Sequence, residues 1–361
     1  MSLHTKDFDY HLPVDQIAQH SVEPRDQAKM MVINKKDKTV EHAQFFTIID
    51  HLKKGDVLVW NNSKVFKARL SGKLLTQNNE GLWDHRRDIE LFLVRPMENK
   101  GVWKVLAKPG RHVKHGTRVM INKDANFYCD VMVKEDSGTI LVQFPFDEDV
   151  VRNLANRFGS IPIPPYVKDE PHQIESYQTI YAKEEGSVAA PTAGFHFTST
   201  LIEQLQQKGI IFAEVTLHVG LGTFLPVKTE KIVDHTMHSE WVELTKENAD
   251  IINLAKKEGR LVVAVGTTSV RTLEGIASLP LFTNNHNNLP AFSGDINIFI
   301  TPGFSFHIID GLITNFHLPK STLLMLVSAF IGDREYTLDC YNEAVKEAYR
   351  FFSFGDSMII V

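Results

Sequence analysis

The chain reads as an α/β protein: a main α/β domain with a largely parallel sheet, interrupted by an inserted small all-β domain, a barrel or a sandwich. Three observations predict this. Strand-like and helix-like segments alternate from about Arg157 onward, the pattern of strands joined by helical crossovers. Between Phe66 and Asn156 short apolar runs of strand length recur between turn signals, as in a small barrel or sandwich. The Pro-rich Ile161–Pro165 then marks the return to the main domain. The expected boundaries are therefore 1–65 with 157–361 for the α/β domain and 66–156 for the insert.

The elements follow in order. Met30–Ile33 and Asp56–Trp60 read as strands, the second ending in the turn-like Asn61-Asn62-Ser63. In the insert, Ile89–Val94, Val102–Ala107, Phe127–Val133 and Thr139–Phe144 read as strands. Asn78-Asn79-Glu80-Gly81, Glu98-Asn99-Lys100-Gly101, Pro109-Gly110 and Ser137-Gly138 punctuate them. Beyond it, Ser199 caps a helix that Gly209 stops, and Ile210–Leu217 is a strand. Lys246–Lys257 is a helix between Thr245 and Gly259, Leu261–Val265 a strand and Thr268–Ala277 a helix. Ser321–Ile331 and Leu338–Phe352 are further helices, and Met358–Val361 closes as a strand.

Composition narrows the class. With 361 residues, 43% hydrophobic and 23% charged, the chain has ordinary globular make-up and ample length for two domains. Its longest apolar candidate, Leu323–Ile331, suffices for a buried helix but not for a membrane span. The opening MSLHTKDFDY is charged and lacks an apolar core, so no signal peptide is expected. Cys129 and Cys340 stand far apart, which predicts a reducing compartment, the cytoplasm, and excludes a cysteine-rich zinc site. A formal net charge of −5 argues against non-specific nucleic-acid binding, although a local basic patch can still act.

The chemistry concentrates in hydroxyl- and glycine-bearing segments with little or no charge. Ala189–Thr198 (AAPTAGFHFT) mixes small residues with Thr192, Phe195 and His196. Small residues allow close approach of backbone to a ligand, and a histidine moves protons near neutral pH. His218–Phe224, Gly266–Arg271, Thr301-Pro302-Gly303 and Thr314–Pro319 share this character. Each alone reads as an ordinary connecting turn; gathered at the carboxyl ends of strands, they read as one pocket. Gly266–Arg271 is the best anion site, with free N–H groups at a helix start, hydroxyls and an Arg. A capped helix with a solvated Arg is the alternative reading. His218–Phe224 lacks the third glycine of a dinucleotide loop. His196 and His317 both have Thr or Asn close by. His235, His238 and Glu240 could present a metal set, although no His-Glu-x-x-His helix motif occurs. In the insert, Lys100, Lys104, Lys108, Arg111, Lys114, Arg118 and Lys123 occur without an intervening acid, as do Lys64, Lys67, Arg69 and Lys73. These islands suit a polyanion, or simply a solvated face with charged edge strands.

Taken in order, Ala189–Thr198, Thr216–Phe224 (TLHVGLGTF), His235–Glu240, Val265–Glu274 (VGTTSVRTLE), Thr314–Ser321 (TNFHLPKS) and Tyr349–Asp356 (YRFFSFGD) resemble the S-adenosylmethionine:tRNA ribosyltransferase-isomerase family of queuosine biosynthesis. The resemblance runs from Phe8-Asp9-Tyr10 nearly to the C-terminus, with Lys64, Lys67 and Phe195 where Arg, Pro and Leu are common. It implies an α/β domain with an inserted barrel. It implies transfer and isomerisation of the ribosyl part of S-adenosylmethionine onto 7-aminomethyl-7-deazaguanine at the tRNA wobble position, with release of adenine and methionine. S-adenosylmethionine is then a co-substrate, no metal is needed, and the partner is a tRNA with a queuosine-type anticodon. The expected protein is a cytoplasmic monomer. His196 or His317 would be the base, and Glu274 or the other histidine would assist adenine departure. Thr192, Phe195, Gly220, Thr223, Phe224 and Asn315 would contact the co-substrate, with Phe195 or Phe224 facing the sulfonium. Gly266, Thr267, Thr268, Ser269 and Arg271 would hold its methionine carboxylate. Lys104, Lys108, Arg111 and Lys114 would contact tRNA. The competing expectations are a metal-dependent hydrolase using His235, His238 and Glu240, and a non-catalytic tRNA-binding protein.

Overall fold

A computed structural model describes the chain apart from residues 1–2, 79, 136–137, 164–165, 168–173, 221–228, 238, 281 and 283–287. The first stretch forms strands β1 (Lys29–Asn34), β2 (Thr39–Gln44), β3 (Val57–Asn61) and β4 (Ser63–Val65). Next come β5 (Arg69–Gln77), β6 (Trp83–Pro96), β7 (Val102–Lys108), β8 (Arg118–Asn122), β9 (Phe127–Lys134), β10 (Ile140–Gln143) and helix α1 (Glu148–Phe158). Then follow β11 (Glu184–Ser187), α2 (Ser199–Lys208), β12 (Ile211–Leu217), β13 (Glu240–Leu244), α3 (Lys246–Lys257), β14 (Val262–Val265) and α4 (Thr267–Ala277). The chain ends with β15 (Phe292–Ile296), β16 (Gly311–Asn315), α5 (Thr322–Ile331), α6 (Arg334–Lys346) and β17 (Ser357–Ile360).

The predicted fold class holds. A nine-stranded sheet runs β15-β13-β12-β3-β14-β16-β17-β1-β2. Its centre, β12-β3-β14-β16, is parallel, and so is the β1–β17 pair. The pairs β15–β13, β13–β12, β16–β17 and β1–β2 are antiparallel, so the sheet is mixed. Burial explains the arrangement. β3, β14 and β16 are buried at every position, which requires cover on both faces. The edge strands β2 and β15 carry many exposed positions and lack the apolar run that marks a strand in sequence.

The insert closes into an antiparallel barrel of order β10-β7-β6-β5-β8-β9. Leu70, Leu91, Leu93, Trp103, Val105, Phe127, Ile140 and Val142 pack its core. β5 and β8 have no predicted counterpart, because few of their residues are buried.

Several helix ends differ from expectation. Thr198, not Ser199, caps α2, its hydroxyl accepting from the Leu201 N–H at 3.2 Å. The predicted helix Leu338–Phe352 is replaced by α6, capped by Asp333 and finished at Lys346. Ala348 and Phe352 take positive φ values of 52° and 75°, so the aromatic run after it is a loop. Among the described residues no helix is long and apolar enough to cross a membrane.

Candidate active site

The carboxyl ends of β14 and β16, where the parallel centre of the sheet opens, frame a pocket. Ala189–Ala193 form one wall, Gly266–Thr268 a second, and Thr314, Asn315 and His317 a third. Tyr166, Tyr177, Val219, Leu323, Phe352 and Ser353 complete it. Segments remote in sequence thus meet on one rim. Gly266 fixes part of this geometry: it sits at φ +85°, and its N–H donates to the Ile313 carbonyl at 2.7 Å.

Gly266 caps α4 without a side-chain hydrogen bond, so the first-turn N–H groups of α4 are not capped from Gly266. The Thr268 hydroxyl beside them is buried and has no hydrogen-bond partner among the described residues. Both features suit a carboxylate in the pocket. Ser269 serves the turn instead: its hydroxyl donates to the Val265 carbonyl at 2.8 Å.

A hydrogen-bond chain leads from the pocket floor back to His196, which lies behind Asn315 and does not line the pocket. The Thr192 hydroxyl donates to Asn315 Oδ1 at 3.1 Å. The Asn315 amide Nδ2 then faces His196 Nε2 at 3.1 Å and donates to it. His196 therefore carries its proton on Nδ1, directed to the Arg25 backbone carbonyl. Burial lowers the His196 pKa to about 4. His317 lines the pocket, with Nε2 3.1 Å from the Thr314 hydroxyl, and burial lowers its pKa to about 3. Its backbone is gripped from both sides: the Tyr10 hydroxyl donates to its carbonyl at 2.5 Å, and its N–H donates to the Tyr341 hydroxyl at 3.3 Å. Both imidazoles are neutral at pH 7.

Other predicted site residues lie elsewhere. Glu274 is fully buried, and its carboxylate accepts from the N–H groups of His307, Ile308 and Ile309 at 2.9, 2.9 and 3.0 Å. It holds the 307–309 loop and does not line the pocket. Arg271 is buried in an ion pair with Glu240 rather than solvated or lining the pocket. Phe195 packs between Tyr177 and Phe354, with the Arg25 guanidinium 5.2 Å from its ring centroid, so its cation is internal. Gly220 follows Val219 at the pocket edge, with no atom of the described residues within 4 Å of where a Cβ would stand. Thr223 and Phe224 lie outside the described residues. Gly194 answers to packing: a Cβ there would collide with the Tyr181 hydroxyl.

Of the metal set, His238 lies outside the described residues, His235 packs edge-on against Phe299 at 5.3 Å, and Glu240 is committed to Arg271. Among the described residues no three His, Cys, Asp or Glu are grouped to hold a metal. In the barrel, Lys104 is paired with Glu135 at 2.9 Å. Lys108, at the end of β7, is exposed. Arg111 and Lys114, with Arg87, gather their charge around His112. Sequence reasoning missed Tyr166, Tyr177, Leu323, Phe352 and Ser353. The YRFFSFGD motif was the available signal for Phe352 and Ser353.

Known proteins resemble the chain over nearly all of its length. It is 47% identical to the S-adenosylmethionine:tRNA ribosyltransferase-isomerase of Thermotoga petrophila over 355 residues, 98% of this chain and 99% of that protein. It is equally 47% identical to the protein of the same name from Clostridium kluyveri, covering 98% of each chain. The crystal structure of S-adenosylmethionine tRNA ribosyltransferase from Thermotoga maritima superposes with a TM-score of 0.54 at 37% identity, covering 98% of this chain and 100% of that one. The family model described as "Queuosine biosynthesis protein" matches residues 5–360. With that match and relatives this similar end to end, the chain belongs to the queuosine biosynthesis protein family.

Proposed function

We propose that the chain is an S-adenosylmethionine:tRNA ribosyltransferase-isomerase and that the pocket at the ends of β14 and β16 is its catalytic site. It transfers and isomerises the ribosyl moiety of S-adenosylmethionine onto 7-aminomethyl-7-deazaguanine at the tRNA wobble position, giving epoxyqueuosine-tRNA, adenine and methionine. The observation that carries the site assignment is the meeting, in one pocket, of an uncapped helix start, the orphan Thr268 hydroxyl and a neutral His317.

The chemistry follows from the co-substrate. A sulfonium acidifies the adjacent C5′ proton, so a modest base removes it. His317 is that base in this reading, because it faces the pocket while both nitrogens of His196 are engaged. A depressed imidazole pKa suits a cationic substrate: a protonated ring would repel the sulfonium and could accept nothing. Adenine then leaves with the electron pair of its bond to the sugar, the substrate amine bonds to the electron-poor ribose-derived carbon and releases a proton, and the epoxide closes as methionine leaves with the electron pair of its bond to C5′. The α4 N-terminus and Thr268 hold the methionine carboxylate, while Thr192 and Asn315 form the floor and His196 braces Asn315 from behind.

Residues 66–156 would bind tRNA and the rest of the chain would carry the chemistry. Arg111 and Lys114, free of the acid that pairs Lys104, are the stronger phosphate contacts, with Lys108 beside them. The buried free thiols Cys129 and Cys340 support a cytoplasmic setting. A monomer is the expected solution state, which light scattering checks.

The test is adenine release from S-adenosylmethionine, dependent on tRNA carrying the aminomethyl base. His317→Ala should reduce kcat by about 10²- to 10⁴-fold and leave tRNA affinity unchanged. Turnover intact in His317→Ala would remove it as the base, and absence of adenine release by the wild type would refute the function.

A further inference from the structure

Phe352 is a bulky residue at φ +75°, a left-handed conformation that favours glycine. The loop around it enforces that conformation. The Asp356 carboxylate accepts from the Arg350 N–H at 2.8 Å, from Arg350 Nη2 at 2.7 Å and from the Lys29 N–H at 3.2 Å. The Phe352 N–H donates to the Phe316 carbonyl, and the Gly355 N–H donates to the Phe352 carbonyl, both at 3.0 Å. A Cβ at Gly355 would collide with the Arg350 carbonyl. The result is an aromatic corner in the pocket wall: the Phe352 and Tyr166 rings meet edge-on with centroids 4.0 Å apart. The Tyr166 and Ser353 hydroxyls share a hydrogen bond beside it. Backbone strain of this kind persists only where surrounding structure imposes it, and it concentrates at ligand sites.

We propose that this corner is the purine subsite of the pocket. The Phe352 and Tyr166 rings pack against the adenine of S-adenosylmethionine, and the one proton left free in the Tyr166–Ser353 hydroxyl pair is donated to a ring nitrogen while the glycosidic bond breaks. The inference rests on the S-adenosylmethionine reading above and names the residues that take its aromatic end. It is complementary to the α4 N-terminus, which takes the carboxylate end of the same molecule. Burial keeps the Tyr166 phenol protonated, so it remains a donor.

Phe352→Gly separates this role from structure, since glycine accepts the backbone conformation while removing the ring. Calorimetry with 5′-methylthioadenosine and, separately, with L-methionine reads the two ends of the pocket. Phe352→Gly should weaken 5′-methylthioadenosine binding by about 5- to 150-fold, the equivalent of about 1–3 kcal/mol for one stacked base. Methionine affinity should stay within twofold, and KM for S-adenosylmethionine should rise more than kcat falls. Tyr166→Phe, which keeps the ring, should lose less nucleoside affinity than Phe352→Gly. An unchanged nucleoside affinity, or an equal loss for methionine, overturns the proposal. Failure of the wild type to release adenine would sink the activity itself, whereas normal turnover and KM in Phe352→Gly would sink only the subsite.

Discussion

Replacing Asn315 by Asp tests the hydrogen-bond chain on the pocket floor. In the wild type the amide donates to His196 Nε2 across 3.1 Å, and burial holds that imidazole at about 4. The variant puts a carboxylate oxygen where the amide nitrogen stood. Opposite charges at that separation attract by about 5 kcal/mol at an effective dielectric near 20. Returning His196 from about 4 to its ordinary 6.5 takes about 3.4 kcal/mol, at roughly 1.36 kcal/mol per pKa unit. The remainder offsets part of the desolvation of the new carboxylate. His196 should therefore titrate above pH 6 in Asn315→Asp. The sign for stability follows. In the wild type the depressed imidazole favours the unfolded state as pH falls below 6.5, because only the unfolded chain binds the proton there. In the variant that acid penalty from His196 shrinks or disappears. Imidazole carbon–proton NMR, with the His196 signal assigned through His196→Asn, reads the titration directly. A His196 that still titrates near 4 in folded Asn315→Asp would refute the assigned tautomer and the chain from Thr192 to Arg25.

The same linkage acts at three sites: His196, His218 and His317 are held by burial at about 4, 4 and 3. Their stability contribution is complete above pH 6.5 and is lost as pH falls from there toward those values. Urea unfolding at pH 7 and pH 5 should differ by about 2 kcal/mol per histidine, and a pH-independent midpoint would contradict their burial. Glu274→Ala leaves the buried N–H groups of Ile308 and Ile309, and the neighbouring His307 N–H, without their carboxylate. It should lose about 3 kcal/mol or more of unfolding free energy yet retain turnover in the folded fraction. A variant with wild-type stability and no turnover would return Glu274 to the chemistry. Neutralising Arg111 and Lys114 should flatten the slope of log affinity for tRNA against log salt by about 0.7–0.9 per lost phosphate contact. Lys104→Gln should do less, because Glu135 already offsets that charge.

Two central strands were legible because complete burial leaves an unbroken apolar run, Val57–Trp60 and Val262–Val265; β16 is equally buried but was not, because Gly311, Thr314 and Asn315 leave it only a two-residue run. The edges were not, since β2 and β15 meet solvent and carry Glu, Asp and Gln where a run would stand. The same lack of signal hid β5 and β8, although barrel closure needs both. The helix error at Leu338–Phe352 has a different origin. Tyr349 and Phe351 are buried and fall at helical spacing after Ala344 and Val345, but Ala348 turns the chain left-handed. Periodicity reports burial, and an aromatic loop that is buried imitates it.

The site shows a second limit of the same kind. Every motif that marked the pocket mixes residues that face a ligand with residues that hold those residues in place. In Ala189–Thr198, Ala189 to Ala193 line the wall, whereas Gly194 makes room for Tyr181 and Phe195 packs beneath Arg25. In Val265–Glu274, Thr267 and Thr268 line the wall, Ser269 ties the turn, and Arg271 and Glu274 work behind it. Neither set is separable by residue type, because the supports need polar groups as much as the wall does: a buried carboxylate that pins a loop and one that moves a proton are the same letter. What separates them is accounting for each buried polar atom. Glu274 has every acceptor engaged by backbone, while the Thr268 hydroxyl has nothing among the described residues. Arg271 Nε and Nη2 are also buried without a hydrogen-bond partner among the described residues, but away from the pocket, so it is the unsatisfied atom on the pocket wall, the Thr268 hydroxyl, that guides to the ligand.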